Sequence, residues 1–262
     1  MAYVGTAHSL DSNFKSKVMN ALFAAGTLRI YKKNPVLAKT SAAKEELRQL
    51  GVPHAVIAPV GLDTAVLKKN IPADEKMRLR KEHGFEADDV ILCNVSRLSW
   101  EKRPLELIDL FLQVKGKKKF KLIIVGNGPL EEELNEKIRK NGLEKEVKIY
   151  PNVPYEKMWE IYEMSEYYLN MNKGEIFGMA IMEAVYYKTS VAAIRALGPS
   201  VTLKDMKEHK LCENDDEMAE WITGPYPSEK DLQESSEKMA ATFTWDRCAD
   251  AFLQASSEKS SR

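Results

Sequence analysis

The chain has 262 residues, 44% hydrophobic and 30% charged, enough apolar material for one large domain or two modest ones. Lys plus Arg and Asp plus Glu both number 39, which argues against a nucleic-acid binder with its basic excess and makes any anion site a local one. Cys93, Cys212 and Cys248 are widely spaced without a Cys-x-x-Cys pair, which excludes a disulfide framework and points to a reducing, cytoplasmic compartment. The N-terminus lacks the apolar run of a signal peptide, and no stretch of about 18 apolar residues offers a membrane span.

In chain order, residues 1–58 read as a thin α/β layer, the remnant of a second unit. Ala2–His8 reads as a strand, Phe14–Tyr31 as a helix, Pro35–Ser41 as a strand, Ala42–Gly51 as a helix and His54–Pro59 as a short strand. Residues 59–76 read as a linker. From Asp89 to Ile194 the period then alternates. Strands are predicted over Val90–Ser96, Lys121–Gly126, Val147–Val153, Tyr167–Met171 and Ser190–Ile194. Helices are predicted over Pro104–Val114, Pro129–Gly142, Tyr155–Ser165 and Phe177–Tyr187. Apolar strands alternating with helices imply a parallel sheet covered on both faces, with right-handed crossovers and a ligand at the strands' C-terminal ends. Residues 77–240 thus form one Rossmann-like domain, and 241–262 a last helix and polar tail.

Three segments carry chemistry. In Ser96–Pro104 (SRLSWEKRP), Arg97, Lys102 and Arg103 crowd a helix start, where each cation is disfavoured by roughly 0.3–1 kcal/mol. A bound diphosphate would reverse that cost, and the alternative is a solvated loop compensated by Glu101. In Val125–Pro129 (VGNGP), Gly126, Asn127 and Gly128 follow a strand, but Glu131 stands where a dinucleotide fingerprint needs its third glycine. These glycines serve a tight turn or a close approach, and NAD binding is disfavoured. In Lys173–Tyr187, Glu175 sits in a turn at a strand end, and Glu183 interrupts an apolar helix opened by Gly178. Glu183 either meets donors, such as ribose hydroxyls or a protein cation, or lies on the helix's one polar face. No Asp-x-Asp occurs, and no His/Cys/carboxylate spacing suggests a metal site. His8 ends the run Tyr3–His8 at a strand terminus, a place that lines clefts.

Glu175-x7-Glu183, with Phe177-Gly178 between, resembles the signature of family 4-type retaining glycosyltransferases. SRLSWEKRP resembles that family's G-R-L-x-x-E-K-G segment, with Ser96 and Arg103 in place of the flanking glycines. VGNGPLEEEL resembles its V-G-x-G-P-x-x-x-x-L turn and helix, GVPHAVIAPVGLD its passage between domains, and FTWDRCADAFL its final F-S-W-x-x-x-A segment. The resemblance implies a GT-B fold of two Rossmann-like domains, of which this chain supplies mainly the donor-binding one. It implies transfer from a UDP-, GDP- or ADP-sugar with no metal or further cofactor, to a glycan, lipid or small-molecule acceptor.

Carried onto this sequence, Arg97 and Lys102 would hold the diphosphate and stabilise it as it leaves. Glu175 and His8 would face the transferred sugar, and Glu183 would accept from the ribose hydroxyls. Gly126 and Asn127, and the backbone amides of Phe177, Gly178 and Met179, would line the nucleotide, whose base would meet the backbone at Asn152 and Val153. The alternative is a donor-binding subunit, or a non-catalytic interaction module, completed by a partner. The sequence departs from the pattern at Ile176, where glycine is common, and at Arg195–Val201, where the family has a glycine pair. Trp245, Cys248 and Phe252 recur on one face of the last helix, which predicts self-association or a partner there.

Overall fold

Short apolar runs near the N-terminus build a three-stranded parallel layer: β1 (Ala2–Tyr3), β2 (Val36–Ala38) and β3 (Val56–Ile57), in that order. The computed structural model describes residues 2–3, 26–58, 60–64, 67 and 71–260. His8, and most of the strand and helix expected at 2–8 and 14–31, lie outside the described residues; residues 26–33 are helical (α1). Thr40 caps α2 (Ser41–Gln49) by accepting from the Ala43 N–H at 3.0 Å. Val36, Ala38, Leu47, Val52 and Ala55 make the small core. The last helix of the chain, Trp245–Ser260, packs on β2 and β3. Met1–Gly61 and Phe243–Arg262 together form one unit, and Leu62–Thr242 the other.

The larger unit opens with α3 (Ala73–Glu82), which begins inside the stretch expected to be linker. Its residues lack an apolar stripe, and charge holds it instead. The Arg80 guanidinium, buried, donates to Met164 O, Asp89 O and the Glu166 carboxylate, and Lys76 lies 3.5 Å from Glu166. Then come β4 (Val90–Val95), α4 (Pro104–Val114), β5 (Phe120–Val125), α5 (Glu131–Lys140) and β6 (Val147–Tyr150). These are followed by α6 (Met158–Met164), β7 (Tyr167–Asn170), α7 (Met179–Tyr186), β8 (Ser190–Ile194) and α8 (Leu197–Thr202). β9 (Lys210–Cys212), α9 (Asp215–Thr223) and α10 (Glu229–Thr242) complete the unit. The helix expected from Phe177 starts two residues later because Gly178, at φ 84°, bends the entry. The helix expected over Tyr155–Ser165 divides into a 3-10 turn, Tyr155–Lys157, and α6.

All six strands pair parallel in the order β6-β5-β4-β7-β8-β9. Leu92, Leu122, Ile124, Leu169 and Ala192 join α4, α5 and α9 in one core. The alternate positions Ile91, Cys93, Ile123, Tyr168 and Val191 are buried too. Both faces are therefore covered, which is why the strands read as unbroken apolar runs. The chain leaves β4 toward β5 and leaves β7 toward β8, in opposite directions. The loops after β4 and β7 thus flank a switch point at the C-terminal edge.

The β4 loop is set by the turn after β5. Leu98 N–H donates to Asn127 O at 2.9 Å, and Leu130 N–H donates to Leu98 O at 3.0 Å. A Cβ on Gly126 would lie 2.0 Å from Ser96 O, and one on Gly128 would lie 2.4 Å from Leu98 O. These glycines therefore serve a close backbone approach within the protein. Gly126→Ala should destabilise the larger unit by about 2 kcal/mol or more. Gly116→Ala, also at positive φ but with nothing within 4 Å, should cost only about 1 kcal/mol of backbone strain; urea unfolding of both variants compares them.

Candidate functional site

Lys102 ends a 3-10 turn, Trp100–Lys102, on the β4 loop. Its Nζ donates to Glu175 Oε2 on the β7 loop at 2.8 Å, so the two expected site residues meet across the switch point. Asn172 Nδ2 donates to the same oxygen at 3.1 Å. Burial pushes the Glu175 carboxyl up, but the Lys102 hydrogen bond and charge, the Asn172 amide and the Phe177 backbone outweigh it and hold it below the ordinary value. Gly198 N–H donates to Glu175 O at 2.8 Å, and a Cβ there would lie 2.5 Å from Phe177 N. Gly198, a residue that sequence reasoning did not single out, thus lets the start of α8 seat the Glu175 loop.

Arg97 stands exposed on the same loop. Arg103 does not join it. Its guanidinium turns to Asp215 (3.1 and 2.8 Å), with Glu106 at 3.3 Å, so it ties the β4 loop to the start of α9. This corrects the expected cluster of three cations: an acidic partner distant in sequence satisfies one of them.

Glu183 on α7 is 8% exposed, which overturns the exposed-face alternative. Its donor is a phenol rather than a cation: Tyr162 Oη donates to Glu183 Oε2 at 2.7 Å. Burial raises the carboxyl above its ordinary value of 4.5, and the Tyr162 hydrogen bond offsets this only in part. The Tyr162 ring in turn stacks on Tyr187 with centroids 5.5 Å apart. Sequence alone does not single out Tyr162 as the partner of Glu183, since helical spacing does not show where a phenol oxygen ends.

Gly126 underlies the β4 loop as described, and Asn127 donates from Nδ2 to Pro151 O at 3.0 Å, tying the β5 and β6 loops. Asn152 and Val153 line a cleft of about 580 Å³ with residues of α3 and α6, where His83 Nδ1 and Tyr150 Oη are 2.8 Å apart. Phe177 is buried, Gly178 caps α7 and Met179 is partly exposed at its first turn. Among the described residues no group of three or more His, Cys, Asp or Glu is placed to hold a metal ion.

A parallel six-stranded sheet with helices on both faces, with Lys102 and Glu175 paired at a central switch point, defines a Rossmann-like α/β fold of the GT-B type. Anabaena HepE, solved with UDP and glucose, shares that fold with a TM-score of 0.74 at 20% identity, over 93% of this chain and 69% of that one. The chain belongs to the glycosyl transferases group 1 family, which it matches over residues 75–239. It is 26% identical over 285 aligned positions to a D-inositol 3-phosphate glycosyltransferase of Mycobacterium avium, covering 95% of this chain and 62% of the relative. It is 23% identical over 198 positions to an uncharacterized glycosyltransferase of Methanocaldococcus jannaschii, covering 73% and 51%. The chain thus spans about half to three-fifths of these curated relatives. No described helix is long and apolar enough to cross a membrane.

Because the folded Glu183 carboxyl titrates above 4.5, its contribution to stability is full below that value and is lost as pH rises through the folded value. Tyr162→Phe removes the carboxylate's donor, so it should raise that titration further. It should also cost about 1–3 kcal/mol at neutral pH, less in acid, and little in a Glu183→Gln background. Urea unfolding against pH, with NMR titration of the carboxyl, measures this.

Proposed function

We propose that the chain is the donor-binding part of a family 4-type retaining glycosyltransferase, carrying the Glu-x7-Glu motif and taking a UDP-, GDP- or ADP-sugar. The observation that carries this reading is the meeting of Lys102 and Glu175 at the switch point, with Glu183 buried on the helix that follows. The family match over residues 75–239 and the glycosyltransferase relatives support it. Lys102 and Arg97 take the diphosphate and stabilise it as the bond from the anomeric carbon breaks and the electron pair departs with the phosphate oxygen. Glu175 contacts the sugar. Glu183 accepts from the ribose hydroxyls, which return to it the donors that burial removes. Transfer proceeds with retention and without a metal, to a glycan, lipid or small-molecule acceptor. Residues 1–58 belong to the acceptor side, and Asn152 and Val153 meet the base through their backbone. Cys93, Cys212 and Cys248, all free thiols, support a cytoplasmic setting.

A second reading, a donor-binding subunit completed by a partner, has one observation in its favour. Trp245, Phe252 and Leu253 on α11 (Trp245–Ser260) are 51%, 37% and 65% exposed, a face suited to another protein or a second copy. Sedimentation should show concentration-dependent association that Trp245→Ser with Leu253→Ser abolishes; a monomer at all concentrations removes self-association.

Calorimetric titration with UDP, GDP and ADP in the presence of chelator tests the main reading. One nucleotide should bind saturably, and Glu183→Ala and Arg97→Ala should each weaken it about tenfold or more. Affinity should fall as pH drops through the raised Glu183 titration, because the protonated carboxyl loses acceptor capacity. No binding of any of the three would overturn the donor-site reading.

A further inference from the structure

Asn172 lies between β7 and Glu175 and is 4% exposed. Its backbone N–H donates to Asn170 Oδ1 at 3.0 Å, and its own Oδ1 accepts from Gly174 N–H at 2.9 Å. With the carbonyl end of the amide committed to a donor, the NH2 end faces Glu175 Oε2, 3.1 Å away. The amide has no free orientation. Its partner oxygen is the one that also accepts from Lys102 Nζ at 2.8 Å. Glu175 Oε2 therefore has two donors of different kinds, a cation from the β4 loop and a neutral amide of its own loop that Gly174 N–H orients.

A diphosphate entering the switch point carries more negative charge than one carboxylate and competes for the Lys102 ammonium. Once Lys102 turns to the phosphate, Glu175 sits beside an anion with its cation withdrawn, and like-charge repulsion drives the carboxylate away. A neutral amide is not drawn to the phosphate in that way. We propose that Asn172 is a positioning residue that keeps Glu175 aimed into the site when Lys102 passes from Glu175 to the donor diphosphate. The Lys102–Glu175 pair is on this view an exchangeable contact of the empty site. The inference rests on the donor-site reading above and adds to it a residue that touches no part of the donor.

The test compares UDP with UDP-glucose, GDP with GDP-mannose and ADP with ADP-glucose on the whole chain, for wild type, Asn172→Ala, Glu175→Gln and the double variant. Asn172→Ala should weaken the nucleotide sugar about tenfold while leaving the free nucleotide within about twofold, since the phosphate and ribose contacts lie elsewhere. In the Glu175→Gln background the same change should add nothing, because the two residues act as one unit. NMR titration of the unliganded chain should show the Glu175 carboxyl moving up in Asn172→Ala. Equal weakening of nucleotide and nucleotide sugar, or additive effects in the double variant, would overturn the proposal. If wild type binds none of these ligands, the donor-site reading fails by itself. The Glu175 titration then decides alone, and an unmoved carboxyl overturns the positioning role.

Discussion

The site depends on β4 having β5 on one side and β7 on the other. In a parallel sheet every chain leaving a C-terminal edge must cross back over a face, and at this point successive crossovers go opposite ways. The space left between them is where Lys102 and Glu175, 73 residues apart in sequence, come within 2.8 Å. That distance requires the β4 loop to be fixed to a fraction of an ångström. The fixing is done by backbone: Ser96 and Leu98 lie so close to the turn after β5 that only glycine fits at 126 and 128. Backbone contacts thus set the path of residues 96–98, which leaves Arg97 exposed and Lys102 to face across the gap.

The two glutamates show how environment divides identical chemistry. Glu175 is held as a carboxylate by a cation and two N–H donors, and its titration is lowered despite burial. Glu183 is as apolar in its surroundings as its neighbours in sequence suggest, and among the described residues its hydrogen-bond donor is one phenol. A carboxylate offers about four lone-pair directions, so Glu183 keeps unused acceptor capacity in a place where desolvation makes each missing donor costly. Glu175 can exchange its ligand, whereas Glu183 can only gain one. On the reading proposed above, the diphosphate and the vicinal ribose hydroxyls of one nucleotide would meet both needs.

What could be read from the sequence follows from the same physics. Strands buried on both faces leave continuous apolar runs, and β4, β5, β7 and β8 were legible within a residue or so at each end. α3 was not, because Arg80, Lys76 and Glu166 hold it in place of an apolar stripe, and charges in sequence do not announce their partners. The elements after Ile194 were little read, although Asn214 accepting from the Glu217 N–H at the start of α9 is a helix signal visible in the run Asn214–Glu217. In the candidate site, Lys102, Glu175 and Glu183 were singled out from the sequence by the segments that resemble the glycosyltransferase family. Tyr162 and Asn172 were not, since a core tyrosine and a turn asparagine look the same whether or not they bond a functional carboxylate.

Arg103 shows the opposite case: it stood in the sequence among the three cations of the β4 loop, and its partners are Asp215 and Glu106. It stands where the resembling family has glycine, and it keeps the left-handed backbone that a glycine would adopt, at φ 55° and ψ 49°. For a side-chain-bearing residue that conformation costs about 1–2 kcal/mol. The guanidinium offsets the strain by bridging Asp215 and Glu106 and reaching Met171 O at 3.4 Å, so it joins the β4 loop, the end of β7 and the start of α9. A backbone conformation that favours glycine is thus held here by ion pairs. This explains how a chain can depart from a glycine pattern next to Lys102 and still set the lysine opposite Glu175: the constraint acts on the path of the backbone, and any residue whose side chain repays the strain can satisfy it.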